Sequence, residues 1–124
     1  MRAKKPGKPK SPTNNSIFDE FKDECNRQIE RLGLKDWDIE IRQEQMCGED
    51  ETNAANTQFT EKGRVAVITM NSAFPPDNPR QVAKHEVAHV LLGRLNLVAE
   101  NRFITEEELA DAIESVCTRL EKVL

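Results

Sequence analysis

Two histidines four residues apart, His85 and His89, enclose a glutamate in the run His85-Glu86-Val87-Ala88-His89-Val90-Leu91-Leu92. A helix turns about 100° per residue, so positions four apart stand one above the other on the same face. Two imidazoles so placed can share one divalent ion, and Glu86 projects beside them, close enough to act on water held there. A catalytic zinc site takes three protein ligands and keeps a fourth position for water, whose pKa falls to about 7 on the metal. The pattern points to Zn²⁺-dependent hydrolysis, with His85 and His89 as ligands. Glu86 would be the general base, taking a proton as water attacks a carbonyl and passing it to the leaving amine.

The chain has only two histidines, both in this motif, so a third protein ligand must be of another kind. A metzincin extension is excluded, because Leu92 and Leu95 stand where it needs Gly and His. A carboxylate remains, and the acid-rich C-terminal segment offers Glu106, Glu107, Glu108, Asp111, Glu114 and Glu121. Glu106 and Glu107 fall in a first helical turn, where acids favour the helix dipole whatever their function. Glu108 matches the second half of a capping box. Asp111 points away from the apolar stripe, whereas Glu114 borders it. Glu114 is the first choice for the third ligand and Glu121, nearer the helix end, the second.

These residues need elements to hold them. Ile17, Phe18, Phe21, Cys25, Ile29 and Leu32 recur with helical spacing, so a helix capped by Ser16 is expected to reach about Leu32 and stop at Gly33. Trp37-Asp38-Ile39-Glu40-Ile41-Arg42 alternates apolar and polar residues, as a half-buried strand does. Residues 43–53 read as a loop and Ala54–Thr60 as a weaker strand. The turn Glu61-Lys62-Gly63 then leads into Arg64–Met70, apolar and β-branched enough to be an inner strand. Asn78-Pro79 is a helix start, since Asn caps and Pro suits the first helical position. That helix is expected to carry the motif to Leu92 or as far as Leu97, buried on most sides. So buried, two imidazoles and a carboxylate would be costly to satisfy without a metal. Thr105-x-x-Glu108 opens a last helix with Leu109, Ile113, Val116, Cys117, Leu120 and Leu124 as its apolar stripe.

Composition narrows the functional classes. At 124 residues the chain is long enough for one domain with a core and too short for two. Residues 1–12 hold Arg2, Lys4, Lys5, Lys8 and Lys10 and no acid, so the remainder is more acidic than the net charge of −4. The division expected is a basic, disordered tail over 1–15 and a folded domain over 16–124. An acidic body argues against nucleic acid as its partner, apart from weak phosphate contact by the tail. The three cysteines, Cys25, Cys47 and Cys117, lack a CxxC pair. They read as reduced thiols, with Cys25 and Cys117 filling apolar helix faces. No apolar run is long enough for a signal peptide or membrane span, so a cytoplasmic location is expected.

Several of these segments together resemble a known group. Leu-Gly-Leu-x-x-Trp-x-Ile at Leu32–Ile39, the strand Ala66-Val67-Ile68, HExxH followed by Val-Leu-Leu, and a Glu-bearing final helix are similar to small phage-encoded zincin-like metallopeptidases of the gluzincin type. The resemblance covers residues 16–124. It implies an α+β minimal zincin-like fold: an N-terminal helix, a small three-stranded and mainly antiparallel sheet, the HExxH helix packed on it, and a C-terminal helix. It also implies Zn²⁺ held by His85, His89 and Glu114, Glu86 as general base, a protein or peptide substrate, and the host cytoplasm as location. The Val65–Met70 strand, if at the sheet edge, would hold the peptide by strand addition. The chain departs from the group in two places. Thr118 and Asp111 stand one turn either side of Glu114, where many gluzincins have an aspartate shortly after the ligand. There is also no Tyr in the chain, which leaves Arg64, Arg94 or Arg102 to steady an oxyanion. Those departures carry the alternative of a metal-bearing protein-interaction module that does not cut its partner.

Overall fold

Ile17, Phe18, Phe21, Cys25 and Ile29 drive the first helix, α1, over Asn14–Arg31. It begins ahead of Ser16, which lies in its first turn rather than capping it. Its end is as expected: Gly33 takes φ +65°, Gly33 N bonds Glu30 O at 3.2 Å and Leu34 N bonds Ile29 O at 3.0 Å. That pair of bonds satisfies carbonyls the last turn would otherwise leave open, and the left-handed residue costs Gly nothing. The structure is a computed structural model that describes residues 14–60, 64–101 and 103–123. The basic tail to residue 13, the Glu61-Lys62-Gly63 turn, Arg102 and Leu124 lie outside the described residues.

Three strands follow: β1 over Asp38–Glu44, β2 over Ala55–Thr60 and β3 over Val65–Asn71. Their spatial order is β1-β3-β2. β2 pairs antiparallel with β3, but β1 pairs with β3 in parallel. The sheet is therefore mixed, not mainly antiparallel as expected. The reason lies in β3, the most apolar strand, which takes the centre, where both its neighbours shield it. β2 runs back against β3 on one side, and β1 runs with it on the other. The central place of β3 also means that Val65–Met70 is not a free edge; among the described strands the edges are β1 and β2.

Register sorts the side chains. Ile39, Ile41 and Gln43 of β1 stand opposite Ala66, Ile68 and Met70 of β3, and Ala55, Thr57 and Phe59 of β2 stand opposite Met70, Ile68 and Ala66. These share the face on which Phe21, Cys25, Leu34, Ala66, Ile68 and Met70 are buried with Ala83, Val87 and Val90. The other face carries Asp38, Glu40, Arg42, Glu44, Gln58 and Thr60. The fold is α+β, with α1 packed beside the motif helix α2, Pro79–Leu91, on one side of the sheet.

α2 starts as the dipeptide requires: Asn78 Oδ1 accepts from Gln81 N at 3.2 Å and Pro79 follows. It stops at Leu91, one residue from the nearer expected end, and the farther end at Leu97 falls in a separate helix α3 over Gly93–Glu100. Gly93 lies where a Cβ would come within 3.3 Å of Trp37 Cη2, with the Phe59 ring 3.5 Å away. Trp37 and Phe59 meet edge to face at 6.2 Å, and the chain bends against them. The last helix, α4, spans Glu106–Glu121 and has both halves of the Thr105/Glu108 capping box. It packs chiefly on α3. Its inward face is turned from the expected stripe: Ala112 is buried, whereas Ile113 is 44% exposed and Cys117 is exposed. Arg119 reaches Asp36, Gly33 O and Ser115, which holds the helix in that rotation.

Candidate metal centre

α2 lays Glu86 against the sheet and leaves His85 and His89 at the rim of an open cleft of about 430 Å³. The helix is thus buried on one side, not on most sides. Both imidazoles are exposed while Glu86 is 6% exposed. The expectation that burial itself demands a metal at the histidines does not hold. What remains is their geometry. His85 Nε2 and His89 Nε2 are 3.3 Å apart, with ring planes at 81°. Two nitrogens at about 2.0–2.1 Å from one tetrahedral ion stand roughly 3.3–3.4 Å apart. The separation matches that of two nitrogens sharing one Zn²⁺. One N–H···N hydrogen bond fits the same gap when one ring donates.

Glu86 is fixed from the sheet. Thr57 Oγ1 donates to Glu86 Oε1 at 2.7 Å and lies 3.2 Å from the Glu86 main-chain oxygen. Thr57 is drawn to this place by register, since it faces Ile68 on the helix-covered side of the sheet. Cys25, fully buried in the core, feels the charge of that carboxylate. Burial, reinforced by the negative charges of Glu86 and Glu24, pushes its thiol up to about 12. At neutral pH it is a protonated core residue, not a thiolate ligand.

β2 forms one wall of the cleft through Ala55, Asn56 and Thr57. Asn71 N bonds Ala54 O at 2.8 Å, so the alternation of an antiparallel ladder turns the backbone groups of Ala55, Thr57 and Phe59 to the free edge. The end of the cleft is made by Asn53 and Ala54. Asn71, fully buried, holds that corner with all its polar capacity. Its Oδ1 accepts from Met46 N at 3.3 Å and Ala73 N at 3.0 Å, and its Nδ2 donates to Glu51 O at 2.9 Å and Asn53 O at 2.8 Å.

The expected third ligand is not in this cleft. Glu114 is exposed and lines another depression, with Leu32, Gly33, Arg94 and Arg119, that shares no lining residue with the first. Asp111 opens on that same depression, and Glu121 is exposed. Among the described residues no group of three His, Cys, Asp or Glu side chains is gathered for a metal. The oxyanion candidates are elsewhere too. Arg64 pairs with Asp36, Arg94 lines the Glu114 depression, and Arg102 lies outside the described residues. Thr57 and Asn71 escaped the sequence reading. The register of β2 against β3 would have pointed to Thr57. For Asn71 the only signal is an amide closing an apolar strand. No protein family's sequence profile matches the chain, and no curated protein or solved structure matches it.

Proposed function

We propose that this chain is a zinc-dependent metallopeptidase, with His85 and His89 as metal ligands and Glu86 as general base. The observation that carries the reading is the 3.3 Å separation of the two Nε2 atoms beside a buried, hydrogen-bonded carboxylate. Bound Zn²⁺ would supply a Lewis acid and a water made acidic enough to lose its proton near neutral pH. Glu86 holds that proton and delivers it to the leaving amine. The free edge of β2, in place of Val65–Met70, receives an extended peptide through the backbone groups of Ala55, Thr57 and Phe59. Glu114, with Glu121 second, is kept as the third ligand, which requires α4 to leave its present seat. The zincin-like fold and a cytoplasmic setting belong to the same proposal; no described helix is long and apolar enough to cross a membrane.

A second reading has its own support. No arginine or lysine lines the His85/His89 cleft among the described residues, and losing one oxyanion donor typically costs about 10²–10³ in rate. That favours a metal-bearing module that binds a protein without cutting it. One experiment separates the readings: zinc per chain on untagged protein, then cleavage of a peptide library by wild type and Glu86→Gln. About one zinc in both, with cleavage only by wild type, supports the peptidase. About one zinc with no Glu86-dependent cut supports the module. No zinc, even on titration, sinks both.

A further inference from the structure

We infer that Thr57 is the positioning residue of Glu86, holding one carboxylate oxygen so that the other is left to the cleft shared with His85 and His89. The inference rests on the metallopeptidase reading and deepens it. A threonine hydroxyl has a single proton, and here it meets two acceptors of the same residue, Oε1 at 2.7 Å and the main-chain oxygen at 3.2 Å. The shorter contact goes to the carboxylate, where a charged acceptor makes the stronger bond. Glu86 is 6% exposed and has three rotatable side-chain bonds, and the Thr57 hydroxyl is the hydrogen-bond donor the structure gives its Oε1.

The placement of Thr57 gives the contact a second consequence. Its side chain points under α2 while its backbone groups face the free edge of β2. A peptide laid along that edge therefore touches the residue that orients the base.

Zinc and acetohydroxamate serve as probes, because a hydroxamate chelates the metal and donates a hydrogen bond to a correctly placed carboxylate, with no substrate needed. Wild type, Thr57→Val and Thr57→Ser are titrated with zinc and then with acetohydroxamate. All three are expected to take up zinc with equal affinity. Acetohydroxamate should bind wild type and Thr57→Ser alike, and Thr57→Val about tenfold more weakly, the worth of one charge-assisted hydrogen bond. In a Glu86→Gln background the valine substitution should have no further effect, since its action passes through Glu86. Equal acetohydroxamate affinity in Thr57→Val overturns the inference and leaves the metal site standing. Zinc lost from Thr57→Val also overturns it, because the hydroxyl would then support the histidines. Zinc refused by wild type overturns the metal reading itself. Should the valine chain fail to fold, Thr57→Ala is the replacement, read against the same criteria.

Discussion

His85 and His89 keep their imidazoles in solvent while Glu86, within the same turn, is buried on the hydroxyl of Thr57. Under the metallopeptidase proposal, ligands at the rim and a base beneath them would suit a site that exchanges its ion and admits substrate from one side. At this scale Glu114→Gln tests the third donor of the proposed site. If α4 swings to bring Glu114 to the ion, zinc affinity falls at least about tenfold in isothermal titration, the usual order for a lost carboxylate ligand. Unchanged affinity would leave the ion to the two histidines and non-protein ligands. The motif was legible from spacing alone, because four residues on a helix is a fixed rotation. Glu114 was argued from a stripe of apolar residues, and a stripe fixes rotation only when tertiary contacts agree with it. Arg119, reaching Asp36 and Gly33 O, turns α4 toward Ala112 and leaves Ile113 exposed. Charged tethers of that kind carry no periodicity to read.

Among the elements, caps and stops were read well where one residue type has one physical use. Asn78-Pro79, Thr105 with Glu108, and Gly33 each act at the expected boundary. The strands were found, but their pairing was not, because alternation reports which face is buried and not which neighbour lies beside it. The loop after β1 shows what the same limit hides. Its corner depends on Asn71, whose amide meets four backbone groups from three stretches of chain. Asn71→Ala leaves buried backbone groups without partners and should destabilise the fold by on the order of 3 kcal/mol. Urea denaturation would register that loss; a change under about 0.5 kcal/mol would mean the loop holds itself.

For the whole molecule, the joint between the two core helices is electrostatic as well as apolar. Arg80 of α2 meets Glu20, Asp23 and Glu24 of α1. Glu24 is 1% exposed, and the hydrogen bond from Gln28, with Arg80 behind it, holds its carboxyl below the usual 4.5 despite the opposing effect of burial. A lowered folded-state pKa contributes stability in full above the ordinary value, and that contribution is lost as pH falls through the lowered one. Glu24→Gln should therefore be less stable than wild type at pH 7, by roughly 1.5–3 kcal/mol, the worth of hydrogen bonds to a charged group. The gap should narrow below about pH 4.5 and close in stronger acid; a gap constant with pH would assign Glu24 a purely steric role. The sheet beneath those helices has a history of its own. On the ribosome β1 and β2 emerge before β3, yet neither pairs with the other in the finished order β1-β3-β2. Ile39 and Ile41 have no partner of the finished sheet until β3 has been made. The sheet is completed by its central strand, like an arch by its keystone, and a synthesis pause ahead of Val65 leaves β1 and β2 without the strand that both pair with.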